Sequence, residues 1–295
     1  MSDRLELLRP VLSRYQRRFT VLDLGAGINH PTLGYEIAQE FDAVVVEVEK
    51  DWKPVPTSPR TIVLKHKFTV TDLVRLNECE HFDVVLAFNF IHWFDMQWKQ
   101  AAEAVLGMGD YVFAQIPVEA DMDSVAFQQA WLESWQDVPT MRGYFKEHGE
   151  WLGSTAQFPR HPPRSIYLHK NGVKRLTRTN WDAPQADANV IVYSTYKSAQ
   201  VNLQHKTPHE HREWVPGINL WNFCRLVGVV PAPEQVLEML SSLTLPDKQH
   251  GDIQPWNMIL DGERLHLIDG GDSWGGNDQE GLAATVRKVE ECLTI

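Results

Sequence analysis

A doubly wound, mostly parallel α/β sheet is the fold class that this sequence predicts, and three observations predict it. The run VLDLGAG at 21–27 is apolar and strand-like until it stops at glycines. A segment of helical period follows, and then a second apolar run, VVVEVEKD at 44–51. The third observation is FDVVLAFNFIHWF at 82–94, apolar almost throughout, as a central parallel strand covered on both faces must be. Strands alternating with helices make a parallel sheet, because each parallel crossover needs a helix.

Taken in order, Leu5, Leu8, Leu12, Tyr15 and Phe19 fall at helical spacing and predict an amphipathic helix over 5–19, laid against the sheet. Strand one is expected at 20–24, a helix through about 32–40, and strand two at 43–48. Strand three reads at 61–64, and Thr71 with Asp72 marks a helix start for 73–77. Strand four follows at 82–88, a helix at 97–106 and strand five at 111–116. Segments 125–135 and 141–152 read as helices, and 165–170 as a last strand after the breaker RHPPR at 160–164. Between Asn171 and Ala188 the chain turns polar and aperiodic, with Asn171-Gly172 as a turn signal, so the expected domains are 1–172 and 173–295. In the second, the helix of the segment at 210–223, with Leu220, Phe223, Cys224 and Val227, reads as core, 258–260 and 265–268 as a hairpin turned at Asp261-Gly262, and 282–293 as a closing helix.

At 295 residues the chain can bury one large core or two modest ones, and its net charge of -11 argues against a broad nucleic-acid or anionic-membrane surface. The basic cluster RYQRR at 14–18 reads as the solvated face of a helix. Cys79, Cys224 and Cys292 lack CxxC spacing, so neither a disulfide framework nor a zinc knuckle is indicated. The opening MSDRLELLRP has no apolar signal core, and no run approaches the ~20 apolar residues of a membrane span. The expectation is a soluble, cytoplasmic protein. His205, His209 and His211 are interrupted by Pro208 and joined by no cysteine or acid cluster, and they read as a polar loop, as do His148 and His161.

The chemistry begins at the glycines. Gly25 and Gly27 lack Cβ atoms, so the backbone can turn sharply and a ligand can lie against it. Glu47, roughly 20 residues beyond the first glycine at the tip of the second strand, is placed to accept hydrogen bonds from ribose hydroxyls. Glu49, two residues on and therefore on the same strand face, is the fallback. An adenosine-type ligand fits this spacing. DLGAG, Glu47 and FDVVLAFNFIHWF together resemble the first, second and fourth motifs of class I S-adenosylmethionine-dependent methyltransferases, over about 21–170. The resemblance implies a Rossmann-like domain holding S-adenosylmethionine through Asp23, Gly25, Ala26, Gly27, Asn29, Glu47, Val48 and Phe88. It implies methyl transfer to a hydroxyl or phosphate of a carbohydrate or small-molecule acceptor. The chain departs from the family pattern at Asn29, which stands where the third glycine of GxGxG is usual and is followed by His30 and Pro31. A nicotinamide-binding Rossmann protein is the rival, but it wants glycine or alanine where His30 stands. Methyl transfer needs alignment more than a base. His92, just beyond strand four, is the candidate base, Asn89 the candidate ligand for the acceptor or the cofactor amine, and Gln115-Ile116-Pro117 lies on the acceptor side.

A second motif stands near the end of the chain. HGDIQPWNMILDGERLHLIDGGD at 250–272 resembles the catalytic loop and metal-binding segment of aminoglycoside-phosphotransferase-type kinases. The resemblance implies a smaller, kinase-lobe-like α+β domain in which Asp252 is the base and Asn257 and Asp269 hold magnesium against the phosphates of ATP. The pattern is incomplete: Gly270 replaces the phenylalanine of DFG, and 173–249 is too short for a full N-lobe. An inherited loop that packs, or that shapes a neighbouring acceptor site, is the favoured reading. A phosphotransferase or dual enzyme is the alternative, and a noncatalytic cofactor-binding module, with the Asn29 turn marking a degenerate site, is a third. The pairing resembles bifunctional enzymes that phosphorylate and methylate the end of a bacterial surface polysaccharide, a likeness of arrangement only. Neither the acceptor nor the oligomeric state can be read from these residues.

Overall fold

The structure, a computed structural model, describes residues 3–27, 31–51, 58–118, 138–156, 162–171, 175–176, 192–193, 216–220, 229–230, 233–241, 243, 253–263, 265–267 and 277–293. In chain order the first half runs α1 (Asp3–Leu12), β1 (Phe19–Leu24), α2 (Leu33–Glu40), β2 (Ala43–Val48), β3 (Thr61–Leu64), α3 (Val70–Cys79) and β4 (Phe82–Phe88). A 3-10 turn (Ile91–Gln97) leads to α4 (Trp98–Gly107), β5 (Gly109–Gln115), α5 (Val138–His148), β6 (Glu150–Thr155) and β7 (Arg164–Lys170). The remainder holds the short strands β8 (Arg175–Leu176), β9 (Val192–Tyr193), β10 (Ile218–Asn219) and β11 (Val229–Val230), then α6 (Pro233–Ser241), a 3-10 turn (Pro255–Asn257), the hairpin β12 (Met258–Leu260) and β13 (Leu265–Leu267), and α7 (Asp278–Leu293).

β1, β2 and β4 are buried along their whole length, the condition of parallel strands with both faces covered. β1 pairs in parallel with β2 and β4, β2 with β3, and β4 with β5. β7 enters antiparallel between β5 and β6, which gives the order 3-2-1-4-5-7-6. Dinucleotide-binding sheets run 3-2-1-4-5-6, so the inserted antiparallel strand sets this sheet apart from them. β11 lies antiparallel on the outer edge of β3 and covers what would otherwise be an open strand edge.

Alternation along the strands divides the core. Val21, Val45, Val84 and Leu86 face one side and pack with Leu5, Leu8, Val11 and Leu12 of α1 and Ile37 of α2. Leu22, Val44, Val46 and Val85 face the other and pack with Leu73 and Leu76 of α3 and Ala101 and Val105 of α4. The sheet is therefore doubly wound. Ile218, Leu220, Val236, Leu240, Met258, Leu260 and Val289 continue this second cluster, so the late elements share its apolar core. They meet the amino-terminal end of the sheet: Gly217 N–H donates to Thr20 Oγ1 at 2.8 Å, and Asn219 N–H donates to Glu80 Oε1 at 3.0 Å. Arg18, just before β1, lies 3.7 Å from Asp261 and 3.5 Å from Glu263. These elements do not by themselves make out a kinase lobe. Among the described residues no helix is long and apolar enough to cross a membrane.

Four expectations need correction. The first helix ends at Leu12, not at 19; Phe19 already belongs to β1, with Tyr15 stacked on it at 4.4 Å. α3 starts at Val70, capped by Thr69, whose hydroxyl accepts from Asp72 N–H while the Asp72 carboxylate accepts from Thr69 N–H. The expected helix over 141–152 stops at His148 and becomes β6. Gly149 makes that reversal possible, since a Cβ there would sit 3.2 Å from both Leu168 O and Phe145 O. Within 210–223, Ile218 and Asn219 form β10 against β12 rather than helix. Segment 125–135 lies outside the described residues.

Gly262 ties the late hairpin to the sheet. It has φ +89°, and a Cβ there would lie 2.7 Å from Pro59 O. Gly262→Ala is expected to lower stability by about 1–3 kcal/mol in urea unfolding, through left-handed strain and the loss of that close approach.

Candidate functional site

The strand order reverses between β1 and β4, and in open α/β sheets ligands bind in the crevice outside the carboxyl ends of the strands at such a point. The sequence places its glycine turn there. Gly25 and Gly27 have φ of 71° and 85°, and the N–H groups of Gly25 and Ala26 donate to Val48 O at 2.9 and 3.2 Å, so the turn is tied to the end of β2. Phe90, following β4, closes on the turn: a Cβ on Gly25 would lie 3.2 Å from Phe90 Cδ2. Phe90 in turn meets Phe68 and Phe94 edge to face at 6.2 and 5.1 Å. Asn29 and His30 lie outside the described residues.

The acids divide differently from the sequence expectation. Asp23 and Glu47 are register partners on β1 and β2, and both are buried. Glu47 is 2% exposed beneath the start of α2, where the Thr32 hydroxyl donates to Oε1 and a Cβ on Gly34 would collide with the carboxylate. Glu49, one strand repeat further out, meets the glycine turn: Oε2 accepts from Gly27 N–H and Oε1 from Asp51 N–H, each at 3.0 Å. The half-buried Glu49 carboxylate thus sits between the glycine turn and the strand tip, each oxygen keeping a lone pair for a ligand hydroxyl. Asp23 is pushed up to about 8, by burial first and by Glu47 second, against the opposing pull of Arg4 and the Gly34 N–H. Burial thus favours the protonated carboxyl.

On the far side of β4, Phe88 is buried and Asn89 takes φ 54°, a left-handed conformation rare outside glycine and concentrated at functional sites. Asn89 N–H donates to Gln115 O at 2.9 Å, and Asn89 Nδ2 donates to Gln115 Oε1 at 3.3 Å. Trp93 Nε1 donates to Asn89 O at 2.9 Å, which pins the strained residue from its other side. Gln115 is wholly buried: its Nε2 also donates to Thr155 Oγ1 at 3.0 Å and Arg164 O at 3.2 Å, while Oε1 accepts from Arg4 Nη2 at 2.5 Å. His92 is buried in the 3-10 turn, and its pKa falls to about 3, through burial first and the charge of Arg164 second. Its imidazole is therefore neutral and weakly basic. The sequence pattern singled out neither Arg4 nor Arg164. Arg4 looks like a polar residue on the first turn of an amphipathic helix, and Arg164 hides in the RHPPR breaker.

Asp252 and Asp269 of the late motif lie outside the described residues. Asn257 is 2% exposed in the turn that precedes β12, at the end of the sheet opposite the glycine turn, and its N–H donates to Gln254 O at 2.9 Å. His148 stacks on Tyr144 at 4.1 Å, and His161, His205, His209 and His211 lie outside the described residues. Among the described residues no group of three or more His, Cys, Asp or Glu could hold a metal ion.

No family model and no curated protein matches the chain. Among solved structures it is similar to magnesium protoporphyrin IX methyltransferase from Synechocystis PCC 6803 with bound SAH, at 12% identity over 55% of this chain and 78% of that one, with TM-score 0.37. It is also similar to the methyltransferase domain of bacterial CtHen1, at 13% identity over 57% and 97% of the two chains and TM-score 0.39. A third is the MycE methyltransferase of the mycinamycin biosynthetic pathway in complex with Mg and SAH, at 10% identity, 56% and 45%, and TM-score 0.33. Likenesses this distant carry no activity or acceptor to this chain. The fold description rests on the sheet order and register.

Two titrations follow from the buried groups. Because the folded pKa of Asp23 is raised, both states are protonated below about pH 4. As pH climbs towards 8 the unfolded chain releases this proton while the folded chain keeps it, so the contribution declines by up to about 1.4 kcal/mol per pH unit. Asp23→Asn is expected to gain stability relative to wild type as pH rises through that window, read by urea unfolding at several pH values. His92, with its pKa near 3, is expected to show imidazole NMR shifts that stay constant through the neutral range where an ordinary histidine titrates.

Proposed function

We propose that the chain is an S-adenosylmethionine-dependent methyltransferase acting on a hydroxyl or phosphate of a small-molecule or carbohydrate acceptor. One observation carries the reading: the Glu49 carboxylate and the Gly25–Gly27 turn meet at the carboxyl end of β1 and β2, on the point where the strand order reverses. Phe90 packs where a Cβ at Gly25 would stand, while nothing lies within 4 Å of the Cβ position of Gly27, so the open surface of the turn is beside Gly27. In this reading Glu49, rather than Glu47, receives the ribose hydroxyls. The Gly25, Ala26 and Gly27 backbone lies against the ligand, and Phe90 with Phe68 forms an apolar wall for its less polar part. Residues 1–172 form the cofactor-binding unit, and 173–295 a smaller unit packed on the far end of its sheet.

The bound cofactor would supply an electrophilic methyl group. The protein's own work is alignment and exclusion of water, which can lower such a barrier by about 7–11 kcal/mol without an ionising residue. Asn89, held in its strained conformation by Gln115 and Trp93, fixes the segment that faces the acceptor. A neutral His92 acts by shape and hydrogen bonding, since a group with so low a pKa takes a proton poorly. The inserted antiparallel β7 weighs against a nicotinamide enzyme, and no observation among the described residues favours the ATP and magnesium reading.

Calorimetric titration with S-adenosylhomocysteine tests the proposal. Wild type is expected to bind, Glu49→Ala to bind about tenfold or more weakly through loss of charged hydrogen bonds, Gly25→Ala to lose affinity, and Glu47→Gln to match wild type. Absence of binding by wild type would refute the cofactor, and a loss confined to Glu47→Gln would return the ribose role to that residue.

A further inference from the structure

Arg4 is a cation in an unusual place. It stands in the first turn of α1, yet its side chain leaves the leucine face and reaches the carboxyl ends of β4 and β5. There Nη2 donates to Gln115 Oε1 at 2.5 Å, and the guanidinium carbon lies 5.1 Å from the centre of the Phe88 ring. Gln115 is neutral and cannot compensate the charge. Arg4 Nε has no acceptor, and no described carboxylate makes an ion pair with the guanidinium. Asp23, the acid within electrostatic reach, makes no hydrogen bond or ion pair with the guanidinium, while Arg164 adds a second positive charge. Desolvation brings the pKa of Arg4 down to about 10, which still leaves it charged at neutral pH. A desolvated cation without an ionised partner is costly to keep. A guanidinium fork, steadied by an amide on Nη2 and by an aromatic face, suits a carboxylate.

We propose that Arg4 is the anchor for a carboxylate group of a bound ligand at the carboxyl ends of β4 and β5, with Gln115 fixing the plane of the guanidinium and Phe88 supporting it. The carboxylate is that of the cofactor's amino-acid tail or that of the acceptor, and in the first case the inference rests on the methyltransferase reading above.

Full-length wild type, Arg4→Met and Arg4→Lys separate these cases. Each is titrated calorimetrically with S-adenosylhomocysteine and with 5′-methylthioadenosine, the same nucleoside thioether without the amino-acid tail, and each is melted with and without malonate. If the tail is the source, Arg4→Met weakens S-adenosylhomocysteine by about tenfold to a hundredfold and leaves 5′-methylthioadenosine unchanged. If the acceptor is the source, both nucleosides bind Arg4→Met as they bind wild type, and malonate raises the melting temperature of wild type alone. Arg4→Lys keeps the charge without the fork and should recover part of the lost response; it carries the same comparison if Arg4→Met folds poorly. Equal loss of both nucleosides in the variants, or no difference from wild type with any probe, overturns the anchor. Failure of wild type to bind either nucleoside would instead sink the methyltransferase reading, while the malonate comparison still decides Arg4.

Discussion

The burial of two acids side by side, Asp23 on β1 and Glu47 on β2, is the constraint from which the geometry of the crevice follows. Parallel strands in register bring the two carboxyl groups together in a dry interior, where both cannot ionise without large cost. The fold answers with donors from the start of α2: the Gly34 N–H turned to Asp23 and the Thr32 hydroxyl to Glu47. That answer fixes where α2 begins, since residue 34 must lack a side chain to come so near. It fixes the length available to the glycine turn, and it leaves Glu49, the next residue on the same face, as the first acid free of the helix. The crevice acid is thus defined by the buried acid below it.

The same pair sets the electrostatics of the acceptor side. Burial raises the pKa of Asp23 and lowers that of Arg4, and Arg164 reinforces the positive field from the start of β7. Under that field and cut off from water, His92 stays neutral. The polar groups beyond β4 are centred on the buried Gln115 amide, whose two ends are both hydrogen-bonded.

Much of this was legible in the sequence because burial leaves a mark on composition. β2, β3 and β4 follow their apolar runs closely, since a fully covered parallel strand tolerates almost nothing else. Glu47 and Glu49 share a strand face, and Gly34, whose missing side chain lets α2 close over Glu47, lies in a helix that periodicity reads as ordinary. β6 was hidden because half of its residues are exposed and the rest show no alternation. Arg4 was hidden for a different reason. Its role comes from the path of one long side chain across the top of the sheet, and spacing along a helix says nothing of that path.

The late motif acquires a location that its sequence alone lacked. Thr20 and Glu80, at the amino-terminal end of β1 and just before β4, take hydrogen bonds from the segment at Gly217 and Asn219, and Asn219 Nδ2 donates to Trp256 O at 2.6 Å. Asn257 is thereby buried at the end of the sheet remote from the glycine turn. A β-strand rises about 3.3 Å per residue, so a strand of six or seven residues separates the two ends by roughly 20 Å. An asparagine enclosed at that distance cannot shape the acceptor pocket by contact. What the described part of 250–272 supplies is burial: Ile253, Met258 and Leu260 extend the apolar cluster that α3 and α4 share.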